Sequence, residues 1–154
     1  MSNADLERNK AVVLRFNREV IEQGSEAALR ELVAPHFVNR TAAPGVSPGP
    51  DGMQQVLNRV LRPAFPDLRV EIHEQVAEGD LVTTRKTIHA THRGELFGIP
   101  ATGRRVAIQI IDIVRVREGR YVEHWGSTNL PSVVVELRGG EPPSSRGARG
   151  MGAR

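Results

Sequence analysis

Apolar residues between positions 5 and 23 recur at helical spacing. Leu6, Val13, Phe16 and Val20 form one stripe, which Val12 and Ile21 widen. The pattern predicts an amphipathic helix that Gly24 stops. Ser25 is placed to cap a second, short helix reaching about Val33 and ended by Pro35. "HFVNR" (36–40) then enters "TAAPGVSPGPDG", a loop of turn-forming residues. Asp51 reads as the N-cap of a third helix, which carries Met53, Val56, Leu57, Val60 and Leu61 and stops before Pro63.

From residue 67 the period changes from 3.6 to 2. "LRVEIHEQV" alternates with Leu68, Val70, Ile72 and Val76 on one face. "EGD" marks a turn, "LVTTRKTIHATH" is β-rich but polar, and "RGELFGIPATG" is a loop. "RRVAIQIIDIVRVR" and a last strand from Arg120 to about Gly126 complete the set. Helices followed by a strand meander predict an α+β fold, with a curved antiparallel sheet wrapped around the N-terminal helices to form a cone with an internal pocket. The domain is expected over residues 1–137.

The penultimate strand holds one acid among β-branched residues. Asp112 lies between Ile111 and Ile113, in step with Ile108, Ile110, Val114 and Val116. A three-residue loop, Arg117-Glu118-Gly119, with Gly119 in the left-handed position, would set Asp112 opposite His124. A two-residue loop would set it opposite Trp125. The first is preferred because a two-residue loop requires a positive φ at Glu118. It gives one face carrying Ile108, Ile110, Asp112, Val114, Val122 and His124, and another carrying Gln109, Ile111, Ile113, Arg115, Tyr121, Glu123 and Trp125. Asp112 and His124 would then be cross-strand neighbours, with Cβ atoms about 5 Å apart. Burial raises a carboxylate's pKa and a nearby imidazolium lowers it, so such a pair suits general acid–base catalysis. The same two residues could also simply satisfy each other.

Composition narrows the function classes. The apolar fraction of 39% is that of an ordinary globular domain. No run approaches the roughly 18 apolar residues of a membrane span, and "MSNADLERNK" lacks the apolar core of a signal peptide, so a cytoplasmic protein is expected. Cysteine is absent. The pI near 10 comes from the last 17 residues, which carry four Arg and one Glu; the rest balances at 17 bases and 17 acids. That Gly/Pro/Ser/Arg segment, 138–154, is expected to be disordered, and the domain's charge argues against a nucleic-acid partner.

"AFPDLRV", "VAEGDLV", "THRGELFGIPATGRRV" and "IDIVRVREGRYVEHW", with the order of elements above, resemble the SnoaL-like polyketide cyclases of the nuclear-transport-factor-2-like superfamily. The likeness covers about residues 8–137. It implies an apolar pocket inside a cone, cofactor-free chemistry and often a homodimer built on the outer sheet face, here Ile111, Ile113 and Trp125. In the founding members the chemistry is an intramolecular aldol closure of a polyketide ester. Aligned on the final hairpin, the cyclases' pocket His falls on Asp112, their catalytic Asp on Gly126, a second His on His124, and the Asn of an "LN" step on Asn39. An acid therefore stands across the hairpin from its expected place.

Other residues complete the candidates. Arg85 or Asn39 could steady an oxyanion, and His36 and His92 could contact a ligand. His89 and His92 point to opposite faces of one strand, and no metal-ligand spacing is present, so no metal is expected. The loop 41–50 could act as a lid. Two functions follow: an acid–base enzyme acting on a small apolar carbonyl metabolite through Asp112 and His124, or a non-catalytic binding module of the same shape, as Gly126 in place of the acid would suggest. A partner-binding scaffold using the outer sheet face is a third.

Overall fold

The computed structural model describes residues 2–139. Of the segment expected to be disordered, Gly140 onward lies outside the described residues. Helix α1, Asn3–Arg15, starts at Ser2, whose hydroxyl accepts the Asp5 amide while Asp5 takes the Ser2 amide in return. It continues as a π-helical turn, Phe16–Glu22, where the buried Asn17 folds its amide back onto the Val13 carbonyl at 2.8 Å. Helix α2, Glu26–Leu32, is capped by Ser25 as expected. Helix α3, Pro50–Gln55, also passes into a π-helical turn, Val56–Leu61, and ends with Arg62–Ala64. It runs through Pro63, and Gly49 rather than Asp51 precedes it; Asp51 instead accepts the Ser47 hydroxyl.

Five strands follow the order β1-β5-β4-β3-β2: β1 Val33–Asn39, β2 Arg69–Glu78, β3 Leu81–Thr91, β4 Arg105–Arg117 and β5 Arg120–Thr128. The sheet is curved and unclosed, and the fold is α+β as expected. One edge departs from the antiparallel meander. "VAPHFVN" is strand β1, and it runs parallel to β5, with Asn39 beside His124. A final helix, α4, Leu130–Leu137, was not foreseen either. The helices bury Val13, Phe16, Val20, Ile21 and Leu57 against Val82, Ile88, Ile108, Val114 and Val116 of the strands. That shared burial is the main driving force for the fold.

Two bulges decide which side chains face the core. His73 is an extra residue between the pairs Ile72–Lys86 and Glu74–Arg85. The alternation of β2 therefore reverses, and Val76, expected on the core face, is 65% exposed. Val122 is likewise extra, between Arg115–Glu123 and Val116–Tyr121.

The β4–β5 turn corrects the expected register. Arg117 pairs with Arg120, so Glu118 and Gly119 form a two-residue loop, and both have positive φ (52° and 75°). This is the turn whose twist best matches two paired strands. The Val122 bulge then shifts the ladder, so Asp112 faces Gly126 and not His124 or Trp125. Tyr121, expected on the outer face, is buried on the inner one. Glu118 sits in a region that disfavours side chains. Replacing Glu118 by Asn, which tolerates it, should raise the unfolding free energy by about 0.5 kcal/mol. Urea denaturation reads this directly, and a loss of stability would contradict the turn geometry.

Candidate active site

Asp112 lies in the middle of the sheet's inner face. Its direct cross-strand neighbours are small: Thr84 on β3 and Gly126 on β5. The diagonal neighbours are Lys86 on one side and His124 on the other, and both reach in to the same oxygen. Lys86 Nζ is 3.2 Å from Asp112 Oδ2, and His124 Nε2 is 3.5 Å from it. Lys86 is 4% exposed and Asp112 6%. Gly126 makes the second contact possible, because a Cβ there would come within 2.9 Å of His124 Cε1.

The cluster extends in both directions. Lys86 Nζ donates to Asn17 Oδ1 at 2.7 Å, and the Val13 contact fixes the orientation of that amide. On the other side His124 Nδ1 meets Asn39 Oδ1 at 2.8 Å. The Thr41 amide also donates to Asn39 Oδ1, so that atom is an acceptor and His124 Nδ1 must donate. Nε2 is the ring nitrogen that faces Asp112. Asp112 Oδ1 has no partner.

Burial pushes the Asp112 carboxyl up, but the Lys86 ammonium and then the His124 contact outweigh it, leaving the group below its ordinary value. Asp112 is therefore a carboxylate at neutral pH. Tyr121 is pushed well above its ordinary value, by burial and then by the Asp112 charge, and stays a neutral phenol. Its ring stacks on Phe16 with centroids 4.3 Å apart.

These groups line a cavity of about 310 Å³. Its walls are apolar, with Phe16 and Ile21 from the α1 extension, Met53, Val56 and Leu57 from α3, and Ile88, Ile108 and Ile110 from the sheet. Asp112, Lys86, Tyr121, His124 and Asn39 supply the polar positions, and Thr41, Ala42, Ala43, Val46 and Ser47 of the Pro/Gly loop form part of the wall. An apolar cavity with a few convergent polar groups is the usual form of a small-molecule site. A wider hollow of about 1000 Å³ lies between α1 and the β4–β5 turn, but no buried titratable group lines it.

Among the expected site residues, Asp112, His124 and Asn39 come together in this wall. Arg85, His36 and His92 do not. Arg85 has the opposite parity from Lys86, lies on the outer face and pairs with Glu74. His36 is exposed on β1. His92 is fully buried outside the cavity wall, where Nδ1 accepts the Thr102 amide and the ring lies beside Phe65. Lys86 is not among the expected site residues, although it shares the parity of Val82, Ile88 and Ala90, which places it inside. Tyr121 was hidden by the Val122 bulge. Asn17 gave no signal, since a polar residue within a helical stripe has many uses.

Helices held in the concave face of a curved five-stranded sheet, around an apolar cavity with a carboxylate in its wall, define the nuclear-transport-factor-2-like class of α+β cones. A model of the SnoaL-like polyketide cyclases matches residues 11–136, and the chain belongs to that family. It is 25% identical over 121 residues to nogalonic acid methyl ester cyclase of Streptomyces nogalater, covering 77% of this chain and 89% of that protein. IdmH of Streptomyces antibioticus, a provisionally assigned polyketide cyclase, superposes with a TM-score of 0.74 at 31% identity over 84% of this chain and 97% of its own. AclR of Streptomyces galilaeus, a provisionally assigned hydroxylase, gives 0.80 at 27% over 96% and 93%. No helix among the described residues is long and apolar enough to cross a membrane.

Two outcomes follow from this geometry. Asp112 binds its proton less tightly folded than unfolded, so its contribution to stability is present above the ordinary carboxylate range and is lost as pH falls through its lowered folded value. In urea denaturation, the stability difference between wild type and Asp112→Asn should be constant above about pH 5 and should shrink below about pH 4. A difference unchanged at acid pH would mean that Asp112 is not ionised in the fold. Gly126→Ala should displace the His124 ring from Asp112 without unfolding the protein, because the clash falls on the far end of a side chain. The His124 ring resonances would report it by shifting, and their invariance would contradict the packing.

Proposed function

We propose that this chain is a cofactor-independent acid–base enzyme that carries out an aldol-type ring closure on an apolar polyketide-type carbonyl compound, with Asp112 as the base. The observation that carries this reading is the unpartnered Oδ1 of Asp112, buried in the wall of an apolar cavity. Most buried polar atoms in native structures have a partner, so a free carboxylate oxygen in a cavity wall supports a functional role. The nogalonic acid methyl ester cyclase relative supports a carbonyl ester as the substrate class.

In this reading Asp112 Oδ1 takes a proton from the carbon α to a carbonyl. The C–H electron pair becomes the enolate, and its carbon attacks a second carbonyl of the same molecule. A C–C bond forms, and the second carbonyl's oxygen recovers the proton from Asp112. No oxidant or external reactant is needed. Lys86 keeps Asp112 ionised before the step, and His124, oriented by Asn39, can share the proton afterwards. The apolar walls exclude water from the enolate and hold the chain folded for closure.

The test is incorporation of solvent deuterium at the α-carbon of nogalonic acid methyl ester, together with its conversion to cyclised product. Wild type should catalyse both, and Asp112→Asn should reduce both by about 10²–10⁴-fold while still unfolding cooperatively. Full exchange in a folded Asp112→Asn variant would remove Asp112 as the base and favour the non-catalytic binding module.

A further inference from the structure

Lys86 stands out in this chain's use of cations. The sequence has 19 Arg and two Lys, and among the described residues Lys86 is the one Lys or Arg that is buried. An ammonium in an apolar wall carries a large desolvation cost, which its contacts must offset. Its three N–H donors are only partly used: one goes to Asn17 Oδ1 at 2.7 Å and one faces Asp112 Oδ2 at 3.2 Å. The third has no partner among the described residues, and Lys86 is part of the cavity wall. On the same ion pair, Asp112 Oδ1 is a buried acceptor without a donor. An unused donor and an unused acceptor thus belong to one ion pair in the wall of an apolar cavity.

We infer that Lys86 is a further catalytic residue, whose free N–H binds the substrate's reacting carbonyl oxygen and carries the negative charge that develops there when Asp112 removes the α-proton. The assignment rests on the reading of Asp112 as the base. An enolate's oxygen and α-carbon are two bonds apart, which suits an N–H and an Oδ1 that belong to one pair. Of the residues first considered for this role, Arg85 is on the outer face and pairs with Glu74. Asn39, which orients His124 through Oδ1, has only a neutral amide N–H to offer, whereas Lys86 brings a full positive charge. As Asp112 becomes neutral, Lys86 loses one counter-charge and gains another on the enolate, so the wall never holds an isolated ion. Asn17, anchored to the Val13 carbonyl, keeps Nζ in place through this exchange.

Two lysines make the test direct. Protein labelled with ¹³C,¹⁵N-lysine has one reporter in the cavity and another, Lys10, on α1. It is titrated to millimolar concentration with 4-nitrophenol, a flat aromatic oxyanion analogue that is yellow only as the anion. The expected result is a saturable shift of the Lys86 Cε and Nζ signals with Lys10 unmoved. In the Asp112→Asn background the probe should bind as the yellow anion at least tenfold more tightly than to wild type, and Lys86→Met added to that background should abolish the gain. The double variant has no unpaired buried charge, and the wild-type titration needs no variant to fold. A Lys86 signal that stays silent up to millimolar probe, or tight anion binding that survives Lys86→Met, overturns the assignment. Silence at Lys86 together with loss of exchange in Asp112→Asn would leave Asp112 as the base and remove only Lys86. A responsive Lys86 with exchange intact in Asp112→Asn would remove the base instead, and Lys86 as the holder of its enolate with it.

Discussion

The Lys86–Asp112 ion pair is the constraint around which the interior is organised. Two charges in an apolar cavity wall are tolerated only with close mutual contact and further polar partners. Those partners come from three other elements: Asn17 on the α1 extension, His124 on β5 and, holding His124, Asn39 at the end of β1. The polar chain crosses the sheet from its helical cover to its parallel edge. Its weak point is Asp112 Oδ1, where the pair lacks one bond. Buried polar groups in native proteins rarely go unsatisfied without a reason.

The small residues beside Asp112 matter as much as the charged ones. With Thr84 and Gly126 directly opposite it, neither neighbouring strand crowds the carboxylate, and the longer diagonal side chains can converge on it. Gly126 occupies the position where the resemblance to the cyclases places their acid, and Asp112 stands across the ladder from it. The side chain absent at 126 is the space into which His124 leans. An acid in one of two facing positions leaves the other open for the imidazole.

The cavity separates shape from chemistry. Apolar side chains from α1, α3 and the inner sheet face set its volume, while the polar groups are gathered at Asp112. Outside, the charges are arranged differently. Arg115 bridges Asp80 and Glu123, Glu123 also holds Arg40, and Arg85 pairs with Glu74. The exposed Arg85–Glu74 pair contributes little energy, while Arg115, Asp80 and Glu123 are half-buried. Ile111, 52% exposed on the same outer face, is not part of the cavity.

Much of this was written in the sequence at the level of local periodicity. The capped first two helices, the β-rich second half and the inward parity of Asp112 all follow from spacing, because helix and strand periods are local properties of the chain. Tertiary structure decided what depends on counting across strands. A bulge at Val122 moved Asp112 from facing His124 to facing Gly126 and turned Tyr121 inward; another at His73 turned Val76 outward. The parallel pairing of β1 with β5, which brings Asn39 to His124, joins residues 85 positions apart. Lys86 was legible by parity but not by partner, since its place beside Asp112 depends on the β3–β4 register across a long loop. One inserted residue reverses every side chain beyond it, so the sequence by itself determined which residues could form the site, and only the folded sheet decided which of them meet.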